Sequence, residues 1–560
     1  MSSHNLFSRR DFMRGVGAGA LAGSAVVRSA SALAASGSLF MHGVASGDPL
    51  SDRVIIWTRV TPPRPGTVAV LWEVALDDRF TRVIRRGRAL TGADIDYTVK
   101  ADVLGLPSSA RLYYRFRADG QLSPAGRTRT LPAGAVDQVK LVVLSCANYP
   151  AGYFNVYAEA AKLDDVHAAV HLGDYIYEYP RGGYASGDAE ALGREVDPAT
   201  EILSLEDYRQ RHAQYRTDAD LQALHAAMPM IAVWDDHEIT NDAWRDGAEN
   251  HSEGVEGAFA DRRAAAVRAY HEWMPTRVPD PTQPERISRS FRFGNLLSLH
   301  MLDTRLIGRD QQLDYANYFG ASGFDGARLA ADLADPNRQL LGAEQTDWLG
   351  LQLARSDTTW DVLGQQVLMG RMDIPAPLVL GQISFSAYSA LVVKAQTAPA
   401  TLTAQEQAVL AQPAIPYNLD AWDGYAVARE TVLGTARALD RNLVVLAGDT
   451  HNAWASDLAD HAGRQVGVEF ATSSVTSPGF EEYFPLENPL AVAAGLTQII
   501  GPLQYADTSH RGFMIVTATP DACRAEWRYV STVKQRSYTL IQGPVLRTLP
   551  GAGQRRLLPG

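Results

Sequence analysis

Four times along this chain a run of consecutive apolar residues gives way at once to metal-capable side chains. Leu141 to Leu144 leads to Cys146, and a second run ends in His171-Leu172-Gly173-Asp174-Tyr175-Ile176-Tyr177-Glu178. Ile231 to Asn241 reads IAVWDDHEITN, and Leu443 to Asn452 reads LVVLAGDTHN. Unbroken apolar runs mark strands covered on both faces, so four interior strands would each deliver polar residues at their carboxyl ends, along one rim of a sheet. Between them the period changes to that of helices, at Asn155 to Leu163, Leu205 to Ala226, Ala258 to Met274, Gly342 to Leu353 and Glu430 to Asp440, with further strands at Phe291 to Leu302 and Trp360 to Leu363. This alternation predicts an α/β layer from about residue 138 onward. Residues 40 to 132 read differently: β-branched and aromatic runs such as Val54 to Val60, Thr67 to Val74 and Arg111 to Arg117, separated by Pro/Gly and Asp-Gly turns, predict a separate all-β, immunoglobulin-like sandwich. Segments 181 to 200, 275 to 288 and 308 to 338 read as long loops.

The residue types at the four strand ends suit metal chemistry. Asp174 and Tyr177 follow a sharp turn that lets both point into one site; a carboxylate can bridge two cations, and a phenolate favours a trivalent metal such as iron(III). Asp235-Asp236-His237-Glu238 sets four polar groups against a buried strand, where they must bind a metal or each other. Asp449 and His451, in a β extension, would share a face and reach the same metal, with Thr450 turned away. His171 is expected to support the site or pack in the core. Cys146 has two readings, a thiolate ligand or half of a disulfide with Cys523, the chain's other cysteine. No G-x-S-x-G elbow, phosphate-binding P-loop or C-x-x-C pair is present, and the His237 string lacks the second histidine of a zincin helix, Asn241 standing in its place.

Length and charge narrow the picture. A chain of 560 residues with 46% apolar content needs two or three cores. The net charge of -11 argues against nucleic-acid or anionic-membrane partners, although metal ions could supply positive charge for a small phosphorylated substrate. No apolar run in the body of the chain is long enough to span a bilayer. Ser8-Arg9-Arg10-Asp11-Phe12-Met13, a mild apolar run and Ala32-Leu33-Ala34 resemble a twin-arginine export signal, so residues 1–34 are expected to be removed and the mature protein to be periplasmic or secreted after passage through the twin-arginine translocase.

The order strand-Cys, Gly-Asp-x-x-Tyr, Trp-Asp-Asp-His-Glu and Gly-Asp-x-His resembles the alkaline phosphatase D (PhoD-type) branch of the calcineurin-like metallophosphoesterases. HGVASGDPLSDRVIIWTRV near the start, Leu302 to Arg305, Val362 to Gly370 and Ala471 to Gly479 extend the resemblance over nearly the whole chain. It implies two mixed β-sheets flanked by helices in residues 137–560, behind a β-sandwich in 35–136. It also implies a site holding iron(III) with one or two calcium ions, zinc or another divalent metal being less in keeping. Cys146, Asp174, Tyr177, Asp449 and His451 match the family's ligand positions, with Asp236 and Asn241 as further ligands and Asp235 and Glu238 behind them. A phosphate-contacting arginine is expected too, without a clear match; Arg181 lies in a loop that does not align. The implied reaction is hydrolysis of phosphate monoesters and diesters by a metal-activated water, His237 protonating the departing alkoxide. Phospholipids and cell-wall polymers are candidate diesters, a phospholipase D-like preference being the main alternative. Two rivals are a periplasmic phosphate or metal binding protein without turnover, and an adhesion module in 40 to 132 carried by the rest.

Overall fold

The computed structural model describes residues 38–321, 323–483 and 485–560; the expected export segment lies outside the described residues. Two large mixed sheets dominate. The first runs in the order Leu558–Pro559, Leu540–Thr548, Cys523–Val530, Arg511–Ala518, Val139–Leu144, Ala168–His171, Met230–Ala232, Val44–Gly47, Arg53–Arg59 and Thr98–Leu104. The second runs Arg289–Phe293, Leu297–Met301, Trp360–Gly364, Leu443–Ala447, Gln465–Ala471, Ala453–Ala459 and Leu503–Asp507. Val142, Val170, Ile231 and Val516 of the first share one core with Leu299, Val444, Leu446 and Phe470 of the second. The second sheet also contributes Leu363, Val445 and Trp454 to another core with Leu349 and Leu353 of the helix Gly342–Arg355 and Leu433 of Ala426–Ala438. The apolar runs stay unbroken in sequence because these strands are covered on both sides.

The amino-terminal segment is not a free-standing unit. Val68–Ala75, Val83–Thr91 and Arg111–Ala118, with two short strands, form a sheet of their own, but Val44–Gly47, Arg53–Arg59 and Thr98–Leu104 extend the first large sheet. Gly47 pairs in parallel with Met230, directly beside the strand that leads to Asp235. Val54, Ile56, Val70, Val74, Leu112 and Phe116 fill the space between the two layers, so the sandwich shares one wall with the rest of the molecule.

Two further expectations change. The helical stretch from Leu205 is two helices, Leu205–Tyr215 and Ala219–Ala227, because the Asp218 carboxylate accepts hydrogen bonds from the Asp220 and Leu221 amides and starts a new helix. The stretch 308 to 338 is not wholly a loop, since it carries the helix Gly326–Leu333 and a small hairpin. No helix of the described residues is long and apolar enough to cross a membrane.

Candidate metal centre

Three parallel strands set the geometry. His171 is in register with Leu144 on one side and Ala232 on the other, so Val139–Leu144, Ala168–His171 and Met230–Ala232 end level. Their continuations carry Cys146, Asp174 and Asp235 to one rim. Leu443–Ala447 of the second sheet arrives at the same rim, where the Val475 amide donates to the Ser145 carbonyl at 2.9 Å and Thr476 to that of Cys146 at 3.3 Å. The two Gly-Asp pairs make the approach possible. A Cβ on Gly173, whose φ is 109°, would lie 2.4 Å from Cβ of Asp235, and one on Gly448 would lie 2.7 Å from Cβ of Ser145.

Cys146, Asp174, Asp449 and His451 all adopt positive φ, at 60°, 55°, 60° and 65°. Non-glycine residues held there cost free energy and gather at functional sites. The backbone is pinned by Cys146 N donating to Gly173 O at 3.1 Å and Ala147 N to Asp174 O at 2.8 Å. Glu238 acts as a buried anchor: its carboxylate accepts from the amides of Asp174 at 3.0 Å, Asp235 at 2.7 Å, and Tyr175. It therefore ties two strand ends together.

The donors form three overlapping groups, each with ligand atoms within 4.8 Å of one another: Cys146, Asp174 and His451; Asp174, Asp236 and His237; and Asp235, Asp236 and Asp449. Asp449 and His451 thus fall in different groups. The β extension expected for them is absent, because both residues turn through positive φ. Asp235, expected behind the ligands, falls in the third of these groups. Asn241 lines the cleft above, its side-chain amide donating to Glu249 at 3.1 Å.

The first group includes a phenol. The Tyr177 hydroxyl lies 2.9 Å from Asp174 Oδ2, 3.3 Å from His451 Nε2 and 2.6 Å from Ser477 Oγ. His451 Nδ1 donates to the Pro478 carbonyl at 2.8 Å, which leaves the lone pair on Nε2, facing Tyr177. The Tyr177 ring stacks on His237 with centroids 4.2 Å apart. Nδ1 of His237 is 2.7 Å from Glu178 Oε2.

Without a cation the acids are strained electrostatically. Burial pushes the Asp174 carboxyl well above the usual range, and Asp236, Asp235 and Glu238 add to the push. Burial does the same to Asp235 against the pull of Arg305, and raises the thiol of Cys146. For His237 burial disfavours the charged form, but Glu178, Asp236 and Asp174 together hold the imidazolium well above its ordinary value. Asp174 Oδ1 and Asp235 Oδ2 are buried and accept no hydrogen bond among the described residues. Clustered buried carboxylates with unused oxygens, beside a thiol, a phenol and an imidazole, fit metal ions: the thiol-containing set a softer transition metal, the all-carboxylate set a hard cation.

The disulfide alternative is removed by register. Ala518 pairs with Val139 on one side and with Cys523 on the other, so Cys523 lies level with the start of the strand whose end leads to Cys146. About 20 Å separates those levels at 3.3 Å per residue, far beyond disulfide reach; both cysteines are free and buried. His171 is buried, its Nε2 2.8 Å from the Tyr157 hydroxyl, and it joins none of the three donor groups. Arg181 is engaged with the Val196 carbonyl at 2.9 Å and is not among the residues lining the cleft.

The PhoD-like phosphatase family model matches residues 141–527, and the model of that family's N-terminal domain matches residues 7–132. The chain belongs to the PhoD-like phosphatases. It is 35% identical over 559 residues to alkaline phosphatase D of Bacillus subtilis (strain 168), covering 95% of this chain and 86% of that protein. It also superposes on a solved structure titled "Structure of PhoD" with a TM-score of 0.76 and 33% identity, over 93% of this chain and 92% of that one. Membership of this family makes the chain a hydrolase of phosphoric esters.

Several contributors to the PhoD-like site carry little signal in the sequence. Arg305, fully buried, reaches Asp420 at 2.8 Å and Asp449 at 3.3 Å and also contacts Asp235. Ser477 and Tyr184 meet Tyr177 and His451 from distant loops. Arg305 and Ser477 sit in two of the segments that carried the family resemblance, which was the available hint.

Proposed function

We propose that this chain is an exported, metal-dependent phosphoesterase acting on monoesters and diesters by direct attack of water on phosphorus. The observation that carries this reading is the convergence of thiol, phenol, imidazole and carboxylates on one rim, with Asp174, His237, Asp449 and His451 lining an open cleft and with buried oxygens of Asp174 and Asp235 unused. Cys146, Asp174, Tyr177 and His451 would hold iron(III), and Asp235, Asp236 and Asp449, with Asn241 nearby, would hold calcium. Bound there, such ions lower the pKa of water and offset charge on phosphoryl oxygens. The water oxygen bonds to phosphorus as the P–O ester bond breaks, and His237 gives its proton to the departing alkoxide. Glu178 fixes the ring for that transfer. Arg9-Arg10 and Ala32-Leu33-Ala34 support export through the twin-arginine translocase to the periplasm or beyond, residues 35–136 then packing as an amino-terminal unit on a catalytic part, 137–560.

Elemental analysis and an absorption spectrum of the native protein test the assignment. A tyrosinate on iron(III) gives a visible band that Tyr177→Phe abolishes, and p-nitrophenyl phosphate or its bis-ester is hydrolysed. Zinc alone with an unchanged mutant spectrum would overturn the ligand set, and inactivity toward both esters would overturn the function. A narrower reading, a phospholipase D-like phosphodiesterase, is favoured by apolar residues that line the cleft, among them Leu378, Val379 and Phe385.

A further inference from the structure

Where the amino-terminal strands join the first large sheet, one cation is buried without an acid. Arg216 follows the helix Leu205–Tyr215 and is fully enclosed. Its guanidinium lies over the ring of Trp57, on the strand Arg53–Arg59, 4.1 Å from the centroid, and Nη1 donates to the Tyr175 hydroxyl at 3.3 Å. Nε and Nη2 of Arg216 have no hydrogen-bond partner among the described residues. The acids that act on Tyr175 are committed elsewhere: Asp218 pairs with Arg194 at 2.7 Å, and Glu238 accepts from backbone amides. Further unused donors lie around the guanidinium. The ring of Trp273 stands 5.7 Å from Trp57, 5.3 Å from His42 and 6.3 Å from His212. Trp273 Nε1, Nδ1 of His42 and both ring nitrogens of His212 are buried without a partner among the described residues, and so is Nδ1 of His225. The Tyr175 hydroxyl, 2.8 Å from His225 Nε2, accepts from Arg216 and has its own proton free for that nitrogen, which leaves the ring proton on Nδ1.

These groups call for an acceptor that also carries charge. A guanidinium cannot be deprotonated, and burying it unpaired is costly. The face of Trp57 offsets part of that cost but takes up neither Nε–H nor Nη2–H. The histidines add no charge of their own. Burial, with Arg59 and Arg216, pushes His42 down to about 3, and burial, with Arg216 and Arg211, does the same to His212. Burial and Arg216 hold His225 well below its ordinary value too, and among the described residues no acid acts on any of the three rings. Each neutral ring keeps one N–H to donate. Water would meet these donors and leave the charge uncompensated, whereas one anion accepts from several of them and neutralises Arg216. A single guanidinium balances one negative charge, which disfavours a phosphate dianion. We infer that a small monovalent anion of the halide class sits against Arg216, between Trp57, Trp273, His212 and His225, and ties the amino-terminal strands to the helices Leu205–Tyr215, Ala219–Ala227 and Phe259–Trp273.

Bromide and chloride test it on the metal-loaded protein, and neither readout depends on hydrolysis. Crystals grown in sodium bromide should show an anomalous bromine peak in contact with the Arg216 guanidinium. In solution, urea titrations are run as chloride replaces methanesulfonate at constant ionic strength. An anion that binds only the folded chain raises the ratio of folded to unfolded protein, here by at least about tenfold between about 1 and about 200 mM chloride. Arg216→Met, which removes the charge, should abolish that rise. Trp273→Phe, which keeps a ring and loses the N–H, should reduce it; if Arg216→Met fails to fold, this variant and the diffraction experiment decide. A bromine peak absent from the guanidinium, or found only at the candidate metal centre, overturns the site. A parent whose stability ignores chloride overturns it as well, leaving water as the occupant, and so does a chloride response kept at full size in both variants.

Discussion

Glu178 Oε2 lies 2.7 Å from Nδ1 of His237, and both side chains are buried. The carboxylate is itself held, its other oxygen accepting from the Asn241 amide at 2.8 Å and the Thr240 hydroxyl at 3.3 Å. The pair therefore fixes which ring nitrogen carries a proton toward Glu178 and which one faces away from it. If the glutamate works by orienting His237, Glu178→Gln lowers kcat by about 10- to 100-fold with little change in KM. The double variant Glu178→Gln/His237→Ala should be no worse than His237→Ala alone, whereas multiplying losses would show that Glu178 acts independently.

Arg305 counters the charge of the carboxylate set from beneath. Its guanidinium spans Asp235, Asp420 and Asp449 with no exposure to solvent, and Asp420 is shared with Arg309. Removing one partner of such a buried assembly costs about 3–5 kcal/mol. Arg305→Met should therefore lower the unfolding free energy by about that much in protein stripped of metal. The loss should be smaller after metal loading, since added cations neutralise the same carboxylates. Denaturant titrations of both forms measure it, and equal losses would mean that Arg305 acts through packing.

What could be read from the sequence was the local part of this design. Unbroken apolar runs located the four strand ends, and Gly173-Asp174 and Gly448-Asp449 announced turns too tight for a Cβ. The amino-terminal sandwich was legible as β structure, but not its fusion to the larger sheet, because pairing of Gly47 with Met230 joins positions far apart in the chain. The Asp449-Thr450-His451 stretch misled because its extended-looking pattern conceals two residues at positive φ. Helices Phe385–Thr397 and Ala404–Leu410 gave no period to read, since among their residues only Tyr388 and Leu391 are buried. Glu178, Arg305 and Ser477 act through contacts across 59, 144 and 300 residues, which no spacing rule reaches.

The cysteines should behave as two unrelated thiols. Cys523 lies in the sheet core, where burial pushes its thiol up to about 12 and makes it inert in the folded protein. Protein denatured with a chelator present should release two thiol equivalents to Ellman's reagent without reduction. Cys523→Ser should keep the native metal content, and Cys146→Ser should lose metal. Protein that, once denatured, still yields no thiols until reduced would contradict the register between Val139, Ala518 and Cys523.

Two buried carboxyls away from the rim give the fold a pH dependence of their own. Glu469 accepts from the amides of Met369 at 2.6 Å and Gly370 at 2.9 Å, and Asp423 accepts from Met372 at 2.8 Å. Burial pushes Glu469 up to about 7 and Asp423 to about 6 against the help of those hydrogen bonds. Between the unfolded values near 4 and these folded values the native chain holds protons that the unfolded chain has released, so their contribution is complete below about pH 4 and is lost as pH rises through 6 to 7. For Glu469 the loss is on the order of 3 kcal/mol. Glu469→Gln cannot titrate; its stability is offset from the parent by an amount that depends on the altered hydrogen bonds but not on pH. Urea titrations from pH 4.5 to 8 should therefore show the parent falling relative to the variant until about pH 7 and running parallel above it, and curves parallel throughout would show that the carboxyl is already ionised in the native protein at pH 4.5.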